Sequence, residues 1–363
     1  MKEGWEYKKL GEVCELYQPK TLSTKELIEN GDYPVYGANG IIGRYSKYNH
    51  EKSEILMTCR GATCGTINIS QPFAWINGNA MVIHPITDNI YNAFLVYQLK
   101  GIDLSDVITG AAQPQITRQT LSPKIIGIPK YSVQLNIVSE LDLLSGIVEK
   151  QKAQLEELDK LAQSIFYDMF GDPVTNEKGW ESDELAKVAP QKESDNKVPD
   201  LNGKSWVLNL DMVQSNTGEI IKKVYFGENE IGNSTIVFDK DNVLYSKLRP
   251  YLNKVVLPYE TGYGTSELVP LRPNKQFLNR IFLAYILRSK QFVEFISIKV
   301  QGAKMPRVSM NSLRGFHVIL PPISLQQEFA AKVEAIEAMK AKVRQSLKEA
   351  ETLFNERMDY YFN

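Results

Sequence analysis

Between Gln134 and Phe170 the apolar positions fall in alternating steps of three and four. They are Leu141, Leu144, Val148, Leu155, Leu158, Ala162, Ile165 and Met169, with Gln151 the one polar member. This is the period of a coiled-coil seam rather than of a helix laid on a broad core. The stretch holds no proline and one glycine, Gly146, so it predicts one helix of about 55 Å at 1.5 Å per residue. A helix of this kind needs a partner, and Gln326–Asn363 carries a matching seam: Val333, Ile336, Val343, Leu347, Ala350, Phe354 and Tyr361, with Lys340 and Arg357 as polar members. Ser132 is placed to cap the first helix, and Ser324 with Gln327 has capping-box spacing at the start of the second. Gly171-Asp-Pro173 supplies a stop after Phe170.

Outside these helices the periods are shorter. Ser23 and Glu26 predict a short capped helix over Ser23–Asn30. The Gly- and Tyr-rich run 32–48 reads as turns between short strands. Strands are expected at Ile55–Thr58, Gly65–Ile69 and Ala80–His84, and a helix at Asn92–Lys100.

The pattern then starts again. Trp5, Leu10 and Val13 recur as Trp180, Leu185 and Val188, an offset of 175. Phe94-Leu95, Tyr97 and Leu99 recur as Phe282-Leu283, Tyr285 and Leu287, an offset of 188. Gly110-Ala111, Pro114, Ile116 and Thr117 recur as Gly302-Ala303, Pro306, Val308 and Ser309, an offset of 192, which also relates Pro129 and Gln134 to Pro321 and Gln326. One domain-plus-helix unit is therefore written twice, with insertions expected in loops of the second copy. The fold class is α+β (mixed α/β), with globular domains at 1–133 and 171–325 and helices at 134–170 and 326–363. Because the second domain begins where one helix ends and ends where the other begins, the helices are expected to pair antiparallel. That makes a dumbbell with pseudo-two-fold symmetry.

The chain has 363 residues, 43% of them hydrophobic and 23% charged, an ordinary composition that can bury sizeable cores. No apolar run approaches the roughly 18 residues of a membrane helix, and MKEGWEYKKL lacks the apolar stretch of a signal peptide. A cytoplasmic protein with no membrane partner is expected, its three cysteines reduced. Net charge is −1, yet residues 240–314 hold 13 bases against 4 acids. That stretch suits phosphate binding on one face, or a solvated basic surface.

Catalytic signals are thin. His50, His84 and His317 lie far apart, and Cys59 and Cys64 have no second pair to complete a metal set. Gly37, Gly40 and Gly43 do not form a dinucleotide fingerprint, and no phosphate-loop or methyltransferase motif is present. No catalytic residue, bound metal or bound cofactor is expected. Recognition remains, since the domains place bases, amides and aromatics on loops. In the first these are Arg44, Tyr45, Lys47 and Tyr48, then Arg60, then Gln113, Gln115 and Arg118. In the second they are Lys247, Arg249, Tyr251 and Lys254, then Lys304 and Arg307. Arg and Lys hold phosphates or read guanine edges, and Gln pairs with adenine. Two unlike heads on one spacer imply a bipartite, asymmetric site in double-stranded DNA. The helix bounds the separation at about 50 Å, roughly one and a half turns of duplex.

The Trp-x-x-x-x-Leu-Gly/Ala-x-Val openings, the Gly-Ala-x-x-Pro-x-Ile/Val-Thr/Ser motifs, the proline-then-Gln helix starts and MFGDPVTNEKGW at Met169–Trp180 resemble the specificity (S) subunit of a type I restriction-modification system. The resemblance spans the chain. It implies two target-recognition domains and two helical spacers, and a subunit without catalysis of its own. It further implies assembly with two methyltransferase (M) subunits, which use S-adenosylmethionine to methylate adenine and would dock along the paired helices. An endonuclease/translocase (R) subunit completes the full complex. The DNA-contact residues are read from side-chain chemistry and do not carry over from the family. An adaptor whose two heads bind protein partners is the alternative reading, and an enzyme with an unrecognised site a third.

Overall fold

The structure, a computed structural model, describes residues 2–110, 113–227, 235–302 and 304–363. Ala111 and Ala303 of the two Gly-Ala motifs lie outside the described residues. The chain parts into two compact units, Met1–Gln151 with Ser346–Asn363, and Lys152–Gln345. Each unit thus holds a globular head together with a stretch of both long helices.

In the first unit a four-stranded sheet runs in the order β2 (Cys14–Tyr17), β8 (Ala80–Pro85), β5 (Ile55–Thr58), β6 (Ile67–Ile69). Beside it lie the hairpin of β3 (Tyr33–Tyr36) and β4 (Ile41–Tyr45), extended by β7 (Trp75–Ile76), and the pair β1 (Trp5–Lys9) with β9 (Ile125–Pro129). The helices are α1 (Leu10–Val13), α2 (Asn92–Gly101), α3 (Arg118–Leu121) and the long α4, Tyr131–Phe170, whose first half belongs here. Short β-branched and aliphatic runs such as Ile55-Leu-Met-Thr58, buried at every position, make the central strands.

The second unit repeats the plan. A sheet of β15 (Val255–Val256), β14 (Val243–Ser246) and β17 (Leu268–Leu271) stands beside one of β12 (Val224–Gly227), β11 (Lys204–Leu208), β16 (Gly262–Thr265) and β13 (Thr235–Phe238). The pair β10 (Ser182–Glu184) with β20 (His317–Ile319), the short ribbon β18 (Val300–Gln301) with β19 (Arg307–Val308), and helices α5 (Leu185–Val188), α6 (Arg280–Arg288), α7 (Lys290–Ser297) and α8 (Met310–Arg314) complete it, with α9 (Ile323–Phe362) the second long helix. The duplication is exact at the level of register. Ile55 pairs with Ile83 and Met57 with Ile67, and at an offset of 188 Val243 pairs with Leu271 and Tyr245 with Val255. The insertions are not confined to loops: α7 forms in the longer second copy where the first has only turns after Gly101.

Both long helices start three residues earlier than their patterns suggest. Ser132 and Ser324 therefore lie inside α4 and α9 instead of capping them. The start is fixed by glutamine. Gln134, fully buried, accepts from the Tyr91 amide through Oε1 (2.8 Å) and donates through Nε2 to the carbonyls of Asn89 (2.7 Å) and Pro129 (2.9 Å). Gln326, also fully buried, accepts from Asn279 (2.9 Å) and donates to Phe277 (2.9 Å) and Pro321 (2.7 Å). All six partners obey the same offsets of 188 and 192. The Ser23–Glu26 capping box also forms, but it supports only a 3-10 turn at Thr24–Glu26. Leu27 then turns extended and the Ile28 amide bonds the Arg44 carbonyl, which ends the helix.

Within each unit the two helix stretches run antiparallel. In the first, Glu140 meets Arg357 (3.0 Å) and Gln151 meets Ser346 (2.6 Å). In the second, Asp159 accepts from Lys340 (2.6 Å), whose residue is 3% exposed and also bonded to Glu337 (2.8 Å). The polar members of the α9 seam are thus each matched by an acid on α4. Apolar packing does the rest: Phe170 sits edge-on to Phe282 at 4.6 Å and to Phe329 at 5.5 Å, and Phe94 lies 5.7 Å from Phe362. Truncating a ring of this kind to Ala costs about 3–5 kcal/mol.

Two stability outcomes are expected from thermal unfolding of the full chain. Gln326→Leu leaves Asn279, Phe277 and Pro321 unpaired and should destabilise the second unit by about 1–3 kcal/mol for each buried group orphaned; a loss under about 0.5 kcal/mol contradicts the anchor. Gly146→Ala should stabilise α4 by about 0.5–1 kcal/mol, since a Cβ there meets nothing within 4 Å; a lower melting temperature would contradict this.

Candidate nucleic-acid interface

The two heads build one local structure twice. After β5 the chain continues as Cys59-Arg60-Gly61, clipped to the loop of the Gly-Ala motif. The Ile116 amide donates to the Cys59 carbonyl (2.9 Å) and the Gly61 amide to the Pro114 carbonyl (3.0 Å), so Arg60 stands opposite Gln115. After β14 the chain continues as Lys247-Leu248-Arg249. There the Val308 amide donates to Lys247 (2.9 Å) and the Arg249 amide to Pro306 (2.8 Å), so Leu248 stands opposite Arg307. Gly110 and Gly302, both at left-handed φ (87° and 90°), open the two clipped loops. A Cβ on Gly110 would lie 2.4 Å from the Gln113 carbonyl oxygen.

These clips sort the expected residues. In the first unit Arg60, Gln113, Gln115 and Arg118 are exposed and come from the two strands of one clip and the start of α3, where Thr117 caps the Thr120 amide. Arg44 lies on β4 instead and is committed to the chain's own backbone, donating to the carbonyls of Gly31 and Asp32. Tyr45 is packed edge-on against Trp75 at 5.4 Å, and Tyr48 lies between Tyr33 (5.0 Å) and Phe73 (5.3 Å). Lys47 is exposed in the same turn. In the second unit Arg307 is held bidentate by Glu267, Nε at 3.0 Å and Nη2 at 2.8 Å, and Lys254 donates to the Leu210 carbonyl (2.6 Å). Arg249, Tyr251 and Lys304 are exposed and Lys247 half-buried, without side-chain hydrogen bonds or ion pairs among the described residues. Glu267 is the partner that the sequence does not announce, because 40 residues separate it from Arg307.

The remaining chemistry is inward and structural. Burial pushes the Cys14 thiol up to about 12 and also raises Cys59 and Cys64, away from the thiolate a nucleophile needs. Burial lowers His50, whose ring bonds the Tyr17 hydroxyl (2.9 Å). A cavity of about 510 Å³ in the second unit is lined by Tyr285, Arg288, Glu337, Lys340 and Arg344. Its ammonium and one guanidinium are already neutralised, Lys340 by Asp159 and Glu337, Arg344 by Glu219 (2.6 Å). Among the described residues no group of three or more His, Cys, Asp or Glu is disposed to hold a metal, and no helix is long and apolar enough to cross a membrane. What the surface offers is exposed cationic groups on the clipped loops of both heads, joined in the first by the amides of Gln113 and Gln115, the chemistry that contacts phosphates and base edges.

Residues 2–159 match the family model described as the type I restriction modification DNA specificity domain. The chain is 22% identical over 369 residues to the specificity subunit of the type I restriction enzyme EcoDI from Escherichia coli, covering 92% of this chain and 81% of that one. It is 24% identical over 388 residues to the MjaIX specificity subunit from Methanocaldococcus jannaschii, covering 92% and 87%. Its fold is similar to the crystal structure of the type I restriction-modification S subunit from M. genitalium, with a TM-score of 0.62, 14% identity, and 99% and 96% of the two chains covered. A chain from a structure of type I restriction-modification complex assembly superposes with a TM-score of 0.55 at 16% identity. The first half of the chain thus matches the type I specificity domain, and nearly its whole length is similar to type I restriction-modification specificity subunits.

Proposed function

We infer that this chain is the sequence-reading, non-catalytic subunit of a type I restriction-modification complex, each head reading one half of a bipartite, asymmetric site in double-stranded DNA. The observation that carries it is the repeated clip: the same backbone frame sets Arg60 opposite Gln115 in one head, and in the other Leu248 opposite Arg307 with Arg249 next along the chain. One frame with different side chains is what two unlike half-sites require. Arg60, Gln113, Gln115 and Arg118 in the first head, and Lys247, Arg249, Tyr251 and Lys304 in the second, are the contacts best placed for DNA. Arg44, Lys254 and Arg307 contribute chiefly by shaping the loops around them, since their donors serve the protein itself.

The helices set the gap. Chemistry belongs to partners: two methyltransferase subunits carrying S-adenosylmethionine, docked along the outer faces of α4 and α9, and an endonuclease/translocase in the full assembly. Exposed Leu143 (66%) and Leu161 (47%) on α4 and Met339 (54%) on α9 give those faces apolar ground for such docking. Work inside the cell's cytoplasm follows from that role.

Duplex binding by the chain assembled with its methyltransferase should fall steeply with salt, log K against log salt, as phosphate contacts require; a flat response with no preference among sequences would favour the protein-binding adaptor. The gap has its own test. Adding four residues after Gln154 and, to keep Gln151 opposite Ser346, four after Val343 lengthens the spacer by about 6 Å, close to two base pairs at 3.4 Å each. Methylome sequencing should show unchanged half-sites and a gap about two base pairs longer; altered half-sites with the old gap would refute the spacer role.

A further inference from the structure

The two clips differ in one respect that the fold does not require. Gly61 occupies the left-handed region at φ 86°, where glycine carries no penalty, and its structural counterpart there is Arg249 at φ 50° and ψ 63°. A Cβ makes that conformation unfavourable, and Pro250, the next residue, pushes Arg249 further toward the extended region it does not occupy. The backbone is held there by the Arg249 amide on Pro306 (2.8 Å) and by the 3-10 turn Pro250–Leu252, whose Leu252 amide bonds the Arg249 carbonyl (2.9 Å).

The strain is not repaid by the side chain within the fold. The Arg249 side chain is exposed and makes no hydrogen bond or ion pair among the described residues. Its neighbours are differently employed: Arg307 is clamped on Glu267, and Lys254 on the Leu210 carbonyl. Glycine would serve the turn at least as well, as Gly61 does in the first head. Strained backbone held by its surroundings, with the side chain left free, is the mark of a residue kept for contact with something else.

We propose that Arg249 is a base-reading residue for the second half-site, its left-handed backbone presenting the guanidinium to a guanine edge in the major groove. Guanine O6 and N7 accept from both arms of the fork, the commonest specific pairing of this side chain. The assignment rests on the DNA-reading role inferred above. It also makes the two heads differ in reading geometry, since in the first clip the arginine is Arg60, one residue before the left-handed position.

The test uses the full chain assembled with its methyltransferase, comparing wild type, Arg249→Gly and Arg249→Lys. Duplexes carrying single changes in either half-site are the probes. Arg249→Gly should raise the melting temperature by about 2–4 °C. It should lose about 5–150-fold of discrimination at one base pair of the second half-site, with first-half discrimination unchanged. Arg249→Lys keeps the charge but not the fork, and should lose that discrimination too. Retained discrimination in both variants would overturn the proposal, as would an equal loss for every duplex, the sign of a phosphate contact. A wild-type complex with no preference at either half-site would overturn the DNA-reading role itself.

Discussion

Everything else in each unit hangs on one buried side chain, Gln134 in the first and Gln326 in the second. A carboxamide can accept at one end and donate twice at the other, and both glutamines do so in full. The partners lie at the head's helix start and at the end of its closing strand, so one residue fastens both of these to the long helix in a site closed to solvent. Left-over buried amides and carbonyls are costly, which makes the arrangement close to all-or-none. It fixes where each long helix leaves its head and in what rotation. An apolar residue could fill the space but could not specify the angle.

The helix seam follows from that anchoring. Its apolar positions are only half-buried in the middle, at Val148, Leu155 and Leu158, so hydrophobic burial alone sets register weakly. Polar pairs add the missing information: Glu140 with Arg357 and Tyr361, Gln151 with Ser346, Asp159 with Lys340. Side-chain bonds from Arg357 and then Tyr361 hold the Glu140 carboxyl below its usual range. A one-turn slip would set these charges against the wrong neighbours, a cost that apolar residues would not impose.

The periodicity of α4, its matching segment α9 and the offsets of the repeat were legible because each is a local or self-referring signal. Even the insertion frame was visible, through Phe94 and Phe282 or Pro129 and Pro321. The helix starts are not legible at Ser132 and Ser324, because serine caps are a local cue and the real determinant is a glutamine bonded across 43 to 49 residues. The same reason explains the site. Arg44, Arg249 and Arg307 look alike in sequence, but only tertiary structure shows one bonded to carbonyls, one held by Glu267 and one on a strained turn with no side-chain partner among the described residues. The small sheets of the second head, built from strands of two to five residues, carry too little period to be seen.

The central claim is that one reading unit is written twice in this chain, each copy with its own half-site. Selecting duplexes from a randomised library with the assembled complex tests that claim most directly. Two short, unlike blocks of fixed sequence separated by a gap of constant length and free composition are predicted. A single contiguous block, two identical blocks in mirror orientation, or no enrichment at all would contradict it.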